Sequence, residues 1–429
     1  MVGTMLLIFL VLLVLGMPIA FSMSFSSIFT FLVNGNATLQ LAGQQVYNAT
    51  DNLSLIAVPF FMLAGNVMNC GGVSRRLIRF CRLIFGKLPG GLGIVTVFAA
   101  MIFAAISGSG PATVAALGVF MIPSMIDDGY DPGFASALMA NSGGLGIIIP
   151  PSIPLVMYAT MAGCSVGTLF IAGIVPGILI GLAFMVYTFF VAKKNHYNPA
   201  PVDAPDFKSK LKIVLDAIPA LLMPAIILGG IYSGFFTPTE ASGVAVVYGL
   251  ILGVFVYKEI KLKDIKKMFI DAGVMSASAM MVVSLASGFS WIISITRLPR
   301  TLSTFLLGVF SNPILIILML MVLLLIIGCF MSVSAATVVL TPILVPVMSA
   351  MGVSPIVLGI TMTVIVSCGM STPPFAVNLF VASGISKVPI DRMAKYAFIL
   401  VGITVIMMLI MTFFPGIITF LPRLAGMTV

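Results

Sequence analysis

Four clusters of small, hydroxyl-bearing and proline residues interrupt apolar stretches of this chain, and their order repeats. The first pair is Ser107-Gly108-Ser109-Gly110-Pro111-Ala112-Thr113, then Gly143-Gly144-Leu145-Gly146-Ile147-Ile148-Ile149-Pro150-Pro151-Ser152. The second pair is Ser332-Val333-Ser334-Ala335-Ala336-Thr337, then Cys368-Gly369-Met370-Ser371-Thr372-Pro373-Pro374-Phe375, with the two Pro-Pro steps 223 residues apart. A helix that stops at such a cluster leaves free carbonyls at its C-terminus, or free amides and a positive dipole end at its N-terminus. Carbonyls joined by Ser and Thr hydroxyls form a hard-oxygen site for a small cation, while amides attract an anion. Glycine lets backbone approach a ligand closely, and proline removes a donor. No acid lies at any of the four breaks. Proton-driven carriers keep a carboxylate or histidine on their pathway, so the pattern favours sodium held by neutral oxygens. Glu240, in Phe236-Thr237-Pro238-Thr239-Glu240, is read either as a hydrogen-bonding group at a helix start or as a proton site.

Enzyme chemistry fits these residues poorly. Ser107-Gly108-Ser109-Gly110 superficially resembles an intramembrane serine protease motif, but a serine nucleophile needs a base within hydrogen-bond reach. The one histidine, His196, falls in a polar linker, and no lysine lies near the serines. A pair of buried aspartates and a set of metal ligands are also missing. Cys70, Cys81, Cys164, Cys329 and Cys368 have no CxxC spacing and read as lone thiols within helices. No catalytic residue is expected, and no cofactor beyond a coupling sodium ion.

The elements that must position these clusters are membrane spans. The chain is 60% hydrophobic and 8% charged over 429 residues, and its apolar runs suffice to cross a hydrocarbon core of ~30 Å. The first, Leu6 to Val33, carries no charge and reads as one retained span rather than a cleaved signal. Continuous runs such as Ile314 to Ile327 exclude an alternating-strand barrel. The net charge of +9 comes mostly from three groups of five cations: 75, 76, 79, 82 and 87; 193, 194, 208, 210 and 212; and 258, 261, 263, 266 and 267. Short basic loops stay in the cytoplasm, so the charge reports topology and no nucleic-acid partner is expected. A helix break in lipid survives only where it lines protein or water, because each orphaned backbone group costs several kcal/mol. Four breaks in matched pairs therefore point to the binding site of a transporter with an internal repeat.

The polar stretch 193–212 divides the chain into a first repeat, 1–192, and a second, 213–429. The first contains an interfacial arm at 73–87, a re-entrant hairpin at 88–126 with its tip at Ser107–Pro111, and a broken helix at 134–170. The second contains an arm at 257–269, a hairpin at 315–348 with its tip at Ser332–Ala336, and a broken helix at 356–386. The same alignment sets Arg75 and Arg76 opposite Arg297 and Arg300. Membrane logic makes the two halves inverted in topology.

These residues also resemble the large membrane subunit of tripartite ATP-independent periplasmic (TRAP) transporters over essentially the whole chain. The motifs are Gly16-Met17-Pro18-Ile19-Ala20-Phe21, Pro59-Phe60-Phe61-Met62-Leu63-Ala64-Gly65, Gly71-Gly72, Phe103-Ala104-Ala105-Ile106-Ser107-Gly108-Ser109, Ile149-Pro150-Pro151-Ser152, Phe236-Thr237-Pro238-Thr239-Glu240-Ala241 and Thr372-Pro373-Pro374. The resemblance implies an all-α polytopic protein of about 11 transmembrane helices with two re-entrant hairpins, working as a sodium-coupled elevator in the bacterial inner membrane. It implies import of an organic acid delivered by a periplasmic binding protein, with a separate small four-helix membrane subunit as partner. Carried over by motif, one sodium site falls on Ser107, Gly146, Ile149 and Pro151, and the other on Gly328, Gly369, Thr372 and Phe375. Ala104 stands where some members have a serine, and no acid lies near Ser332, unlike many members. The expected cavity residues are Asn141, Ser142, Ser287, Ser290, Ser332, Ser334 and Asn378. Their neutral polarity favours sialic acid or a sugar acid, with a C4-dicarboxylate as the alternative. A passive pore subunit is the competing class.

Overall fold

The computed structural model describes residues 2–34, 39–197, 206–296, 298, 301, 304, 313–373 and 376–429. All regular secondary structure among them is helical. Nine helices among the described residues are long and apolar enough to cross a membrane, and shorter apolar helices of 10–17 residues accompany them. The protein is an all-α, multi-pass membrane protein. Arg297, Arg300, Pro374 and Phe375 lie outside the described residues.

The uncharged run Leu6–Val33 is two helices rather than one span. Helix α1 (Val2–Val14) ends before Gly16, which sits at φ +81°, and α2 (Ile19–Asn34) starts after Pro18. A left-handed glycine and a residue without an N–H are local stop signals that uniform hydropathy conceals. Helix α3 (Leu39–Thr50) follows, then α4 (Ala57–Cys70) and α5 (Val73–Phe85). In α5, Val73, Leu77, Ile78 and Cys81 are buried, while Arg75, Arg79 and Arg82 are exposed. That spacing puts the apolar side chains on one face of a helix lying between protein and polar surroundings.

Helices α6 (Gly91–Ser107) and α7 (Gly110–Asp127) meet at Gly108–Ser109 and pack on each other. Both also pack on α8 (Pro132–Ile148), whose residues from Gly133 to Ile148 are all buried. The glycines, alanines and serines of α8 let its neighbours approach closely, which is how helices associate without a hydrophobic drive. After the Pro150-Pro151 step, Ser152 caps α9 (Ile153–Ala162) by accepting from the Leu155 N–H at 3.4 Å. The second arm of this broken helix ends at Ala162, not Phe170. Gly163 closes it at φ +67°, and Ser165 starts α10 (Val166–Lys194) by accepting from the Thr168 N–H at 3.2 Å.

Helices α11 (Phe207–Tyr232) and α12 (Pro238–Ile251) precede a π turn at Leu252–Val256. The expected second arm at 257–269 is not a separate helix. Tyr257–Lys261 is non-helical, and 262–269 are the first turns of α13 (Leu262–Ile295), a 34-residue helix. The Lys261 N–H donates to the Asp264 carboxylate at 3.1 Å, which starts the helix there, and no Pro interrupts it before Thr296. Helices α14 (Pro313–Gly328) and α15 (Val333–Ala350) are joined through Cys329–Ser332. The turn thus lies N-terminal to the expected Ser332–Ala336, because the Ser332 hydroxyl accepts from the Ala335 N–H at 3.3 Å and caps α15. Such a cap is worth about 1 kcal/mol. Helices α16 (Pro355–Gly369), α17 (Val377–Ser386), α18 (Ile390–Phe413) and α19 (Gly416–Leu424) complete the chain.

The two halves interlock. Helix α17 packs on α7 and α8, while α15 packs on α9. The Tyr158 hydroxyl on α9 donates to the Pro355 carbonyl at 2.7 Å. Where α8 crosses α16, the Ser367 hydroxyl donates to the Gly144 carbonyl at 3.3 Å, and these two residues are 223 apart. A void of about 10 Å³ beside them is lined by Gly144, Leu145 and Ile148 together with Ser367, Cys368 and Ser371. Each of the first three lies 223 residues before one of the second three.

Candidate functional site

The first break gathers neutral oxygens. Ser107 ends α6, Gly108 reverses the chain at φ +61°, and Ser109 precedes α7. The Ser107 and Thr113 hydroxyls lie 2.7 Å apart, and the Thr113 hydroxyl donates to the Ser109 carbonyl at 2.8 Å. Gly146 of α8 presses against this turn: a Cβ added there would lie 2.6 Å from Thr113 Oγ1 and 2.9 Å from the Ser109 carbonyl oxygen. The Pro151 carbonyl oxygen would lie 2.9 Å from a Cβ on Gly108. Ser107, Gly146 and Pro151 therefore converge on one turn. Ile149 stands at the C-terminus of α8, its N–H bonded to the Leu145 carbonyl. The cluster offers only hydroxyl and carbonyl oxygens, the donor set of an alkali cation. The Ser107 hydroxyl is paired with a hydroxyl rather than a base, so it lacks what a nucleophile needs.

The second break is built from backbone. Gly328 at the end of α14 abuts α16, where an added Cβ would lie 2.6 Å from the Val366 carbonyl oxygen. A Cβ on Gly369 would overlap the carbonyl of Gly328. The Thr372 hydroxyl donates to the Cys368 carbonyl at 2.8 Å. Gly328, Gly369 and Thr372 thus lie around the C-terminus of α16, and Phe375 falls outside the described residues.

The expected cavity residues divide. The Asn378 amide on α17 donates to the Ala140 carbonyl of α8 at 3.1 Å, as the Ser371 hydroxyl does at 3.4 Å. Its Oδ1 is buried with no partner, beside Gly110 at the first turn. Asn141 donates to Ala137 of its own helix at 2.9 Å and lines the small void with Ser367. Ser142 is buried in the same helix with its hydroxyl unpartnered. Ser332 and Ser334 stand at the start of α15. Ser287 and Ser290 are spent on carbonyls of their own helix, Ser284 and Ala286. Their neighbours Gly288 and Phe289 pack on Ser27 and Phe9, and α13 also packs on α15. Glu240 closes a capping box: it accepts from the Thr237 N–H at 2.8 Å while its own N–H donates to the Thr237 hydroxyl at 3.2 Å. This is the helix-start role.

Residues 6–417 match the family described as the tripartite ATP-independent periplasmic transporter, DctM component. The chain belongs to this family. It is therefore a membrane transporter protein and not an enzyme. It is 42% identical over 409 residues to the isethionate TRAP transporter permease protein DctMQ of Oleidesulfovibrio alaskensis, which covers 95% of this chain but only 64% of that protein. It is 38% identical to the C4-dicarboxylate TRAP transporter large permease protein DctM of Pseudomonas aeruginosa, covering 95% of each. The sialic acid TRAP transporter large permease protein SiaM of Vibrio cholerae is 35% identical, again with 95% of each covered. Among solved structures, the YdaH transporter of Alcanivorax borkumensis shares the fold, with a TM-score of 0.57 at 18% identity over 87% of this chain and 88% of that one.

Within this DctM-family chain, four polar residues escape a reading based on motif carry-over. Asn66 and Asn69 of α4 line a cavity of about 60 Å³ with Ser107, Ser109, Ile153 and Met275. They sit just after the Pro59–Gly65 motif, and two amides on an otherwise apolar helix were the available signal. Thr113 supplies a hydroxyl to the first turn, one helical turn beyond Gly110. Thr337, on the second turn of α15, is buried with its hydroxyl unpartnered.

Proposed function

We propose that this chain is the large permease of a sodium-coupled secondary importer of an organic acid, working with a small membrane subunit and a periplasmic binding protein. The convergence of Ser107, Ser109, Thr113 and Pro151 oxygens around Gly108 and Gly146 carries this reading. It is a ready donor set with no carboxylate, and the backbone-built break at Gly328, Gly369 and Thr372 stands as the second site. The contact between Ser367 and Gly144, residues equated by the repeat offset, supports a two-fold relation of the halves. In that relation α6–α7 and α14–α15 are the re-entrant hairpins of an elevator, and about 11 further spans cross the inner membrane.

Of the two substrate classes expected from the sequence, the C4-dicarboxylate is favoured over the sugar acid, while the isethionate permease relative is more similar still. The dicarboxylate permease relative is more similar than the sialic acid one at equal coverage. Neutral hydroxyls and amides hydrogen-bond either class, so polarity alone does not discriminate. The test is uptake of labelled succinate and sialic acid into proteoliposomes holding the permease, the small subunit and the binding protein. Succinate uptake that collapses without an inward sodium gradient is the expected result. Uptake indifferent to both the gradient and the binding protein refutes the importer and makes the protein a passive pore.

A further inference from the structure

Another cavity, apolar with a cationic lining, lies at the far end of α6 from the first break. It has a volume of about 420 Å³ and opens between α5 and the start of α11. Its cationic lining is Arg79, Arg82, Lys87 and Lys210, and its apolar lining includes Leu83 and Ile213. No ion pair joins these four cations to a carboxylate among the described residues, whereas Arg75 and Arg76 of the same helix are both paired to Glu259. Asp206, one turn before Lys210, is turned to its own helix and accepts from the Phe207 N–H at 2.8 Å. Four cations around one cavity repel each other, and an anion placed between them relieves that repulsion.

The level of the cavity narrows the choice of anion. Helix α11 is a candidate span whose N-terminal turns carry Lys208, Lys210 and Lys212. Such a lysine-rich end marks a cytoplasmic membrane surface. Ile84, Leu211 and Leu215 are exposed beside it, as suits side chains facing acyl chains rather than water. We infer that this cavity binds the phosphate headgroup of an anionic phospholipid, with its acyl chains running along α5 and α11. Helix α5 joins α4 to α6, so the lipid would hold the link between the first turn and its neighbours at the membrane surface.

The test uses the delipidated full chain in detergent, titrated with phosphatidylglycerol or phosphatidylcholine and read by native mass spectrometry. Wild type is expected to bind phosphatidylglycerol about tenfold more tightly than phosphatidylcholine, and R79Q/R82Q/K210Q is expected to lose that preference. Lys263→Gln/Lys266→Gln, in the other basic cluster, is expected to keep it. Equal phosphatidylglycerol binding by wild type and the triple variant overturns the proposal. So does displacement of the lipid by millimolar inorganic phosphate, which identifies a free-anion site. A photo-crosslinking phosphatidylglycerol on wild-type protein gives a readout that does not depend on a variant folding. Adducts on peptides spanning 79–87 and 207–213 support the site, and adducts only elsewhere refute it.

Discussion

At the scale of single residues, the first break depends on how little side chain it contains. Gly146 leaves room for Thr113 and the Ser109 carbonyl, and backbone cannot yield to a Cβ 2.9 Å away as a flexible side chain could. Gly146→Ala is expected to reduce uptake at least about tenfold, measured in proteoliposomes alongside detergent melting to confirm folding. Wild-type uptake in that variant would show that the close approach is dispensable. Ser107→Ala removes one oxygen from the turn. The half-saturating sodium concentration is expected to rise about tenfold, since a hydrogen-bonding group facing a charge is worth about 1.5–3 kcal/mol. An unchanged sodium dependence would take Ser107 out of the site. These residue types were legible in the sequence because glycine, proline and hydroxyls cluster at four matched places in membrane-length apolar runs. Thr113 was harder to single out, since its hydroxyl matters only after α7 folds back to bring it beside Ser107.

At the scale of elements, charged contacts fasten helix ends. The Arg76 guanidinium lies 2.7 Å from Glu259, donates to the Gly72 carbonyl at 2.9 Å, and stacks over Tyr257 at 3.8 Å. The start of α5 is thereby tied to the segment between α12 and α13. At the buried helix α8, Asp131 caps the start by accepting from the Phe134 N–H at 3.0 Å and pairs with Arg392 of α18 at 3.2 Å. Partial burial pushes the Asp131 carboxyl up, but the Phe134 N–H, the Arg392 guanidinium and the Gly133 N–H outweigh it and hold it below its ordinary value. A carboxyl lowered in the folded state contributes stability above its unfolded pKa and loses it as pH falls through the folded one. Asp131→Asn is therefore expected to lower the melting temperature at pH 7, with the gap to wild type closing below about pH 4. A constant gap across that range would mean that capping geometry, not charge, sets the effect. Helix ends were partly legible. Ser152 and Ser165 are capping residues by type, but whether Ser332 or Ser334 marked the second turn's boundary depended on which hydroxyl met an amide.

At the scale of the whole molecule, the proposed elevator requires the first turn to move past α4. Asn66 and Ser109 face one cavity from the two sides of that boundary. In a cysteine-free background, cross-linking Asn66→Cys to Ser109→Cys is expected to abolish uptake, with full recovery on reduction of a cleavable linker. Uptake that persists in the cross-linked protein would rule out relative motion there. The sequence by itself determined the membrane class, the four interruptions, their offset of 223 residues and the absence of acids at them. Those properties follow from local chemistry, because hydropathy, missing donors and missing carboxylates act wherever the chain goes. Only the tertiary structure decided that Gly146 and Pro151 close on the Ser107 turn, that Ser367 meets Gly144, and that Asn66 and Asn69 share a cavity with it. It also set α13 as one long helix and bonded the Ser287 and Ser290 hydroxyls to carbonyls of that helix. Each of those outcomes depends on which buried faces fit together, and close packing between distant segments has no signature in the residues taken one stretch at a time.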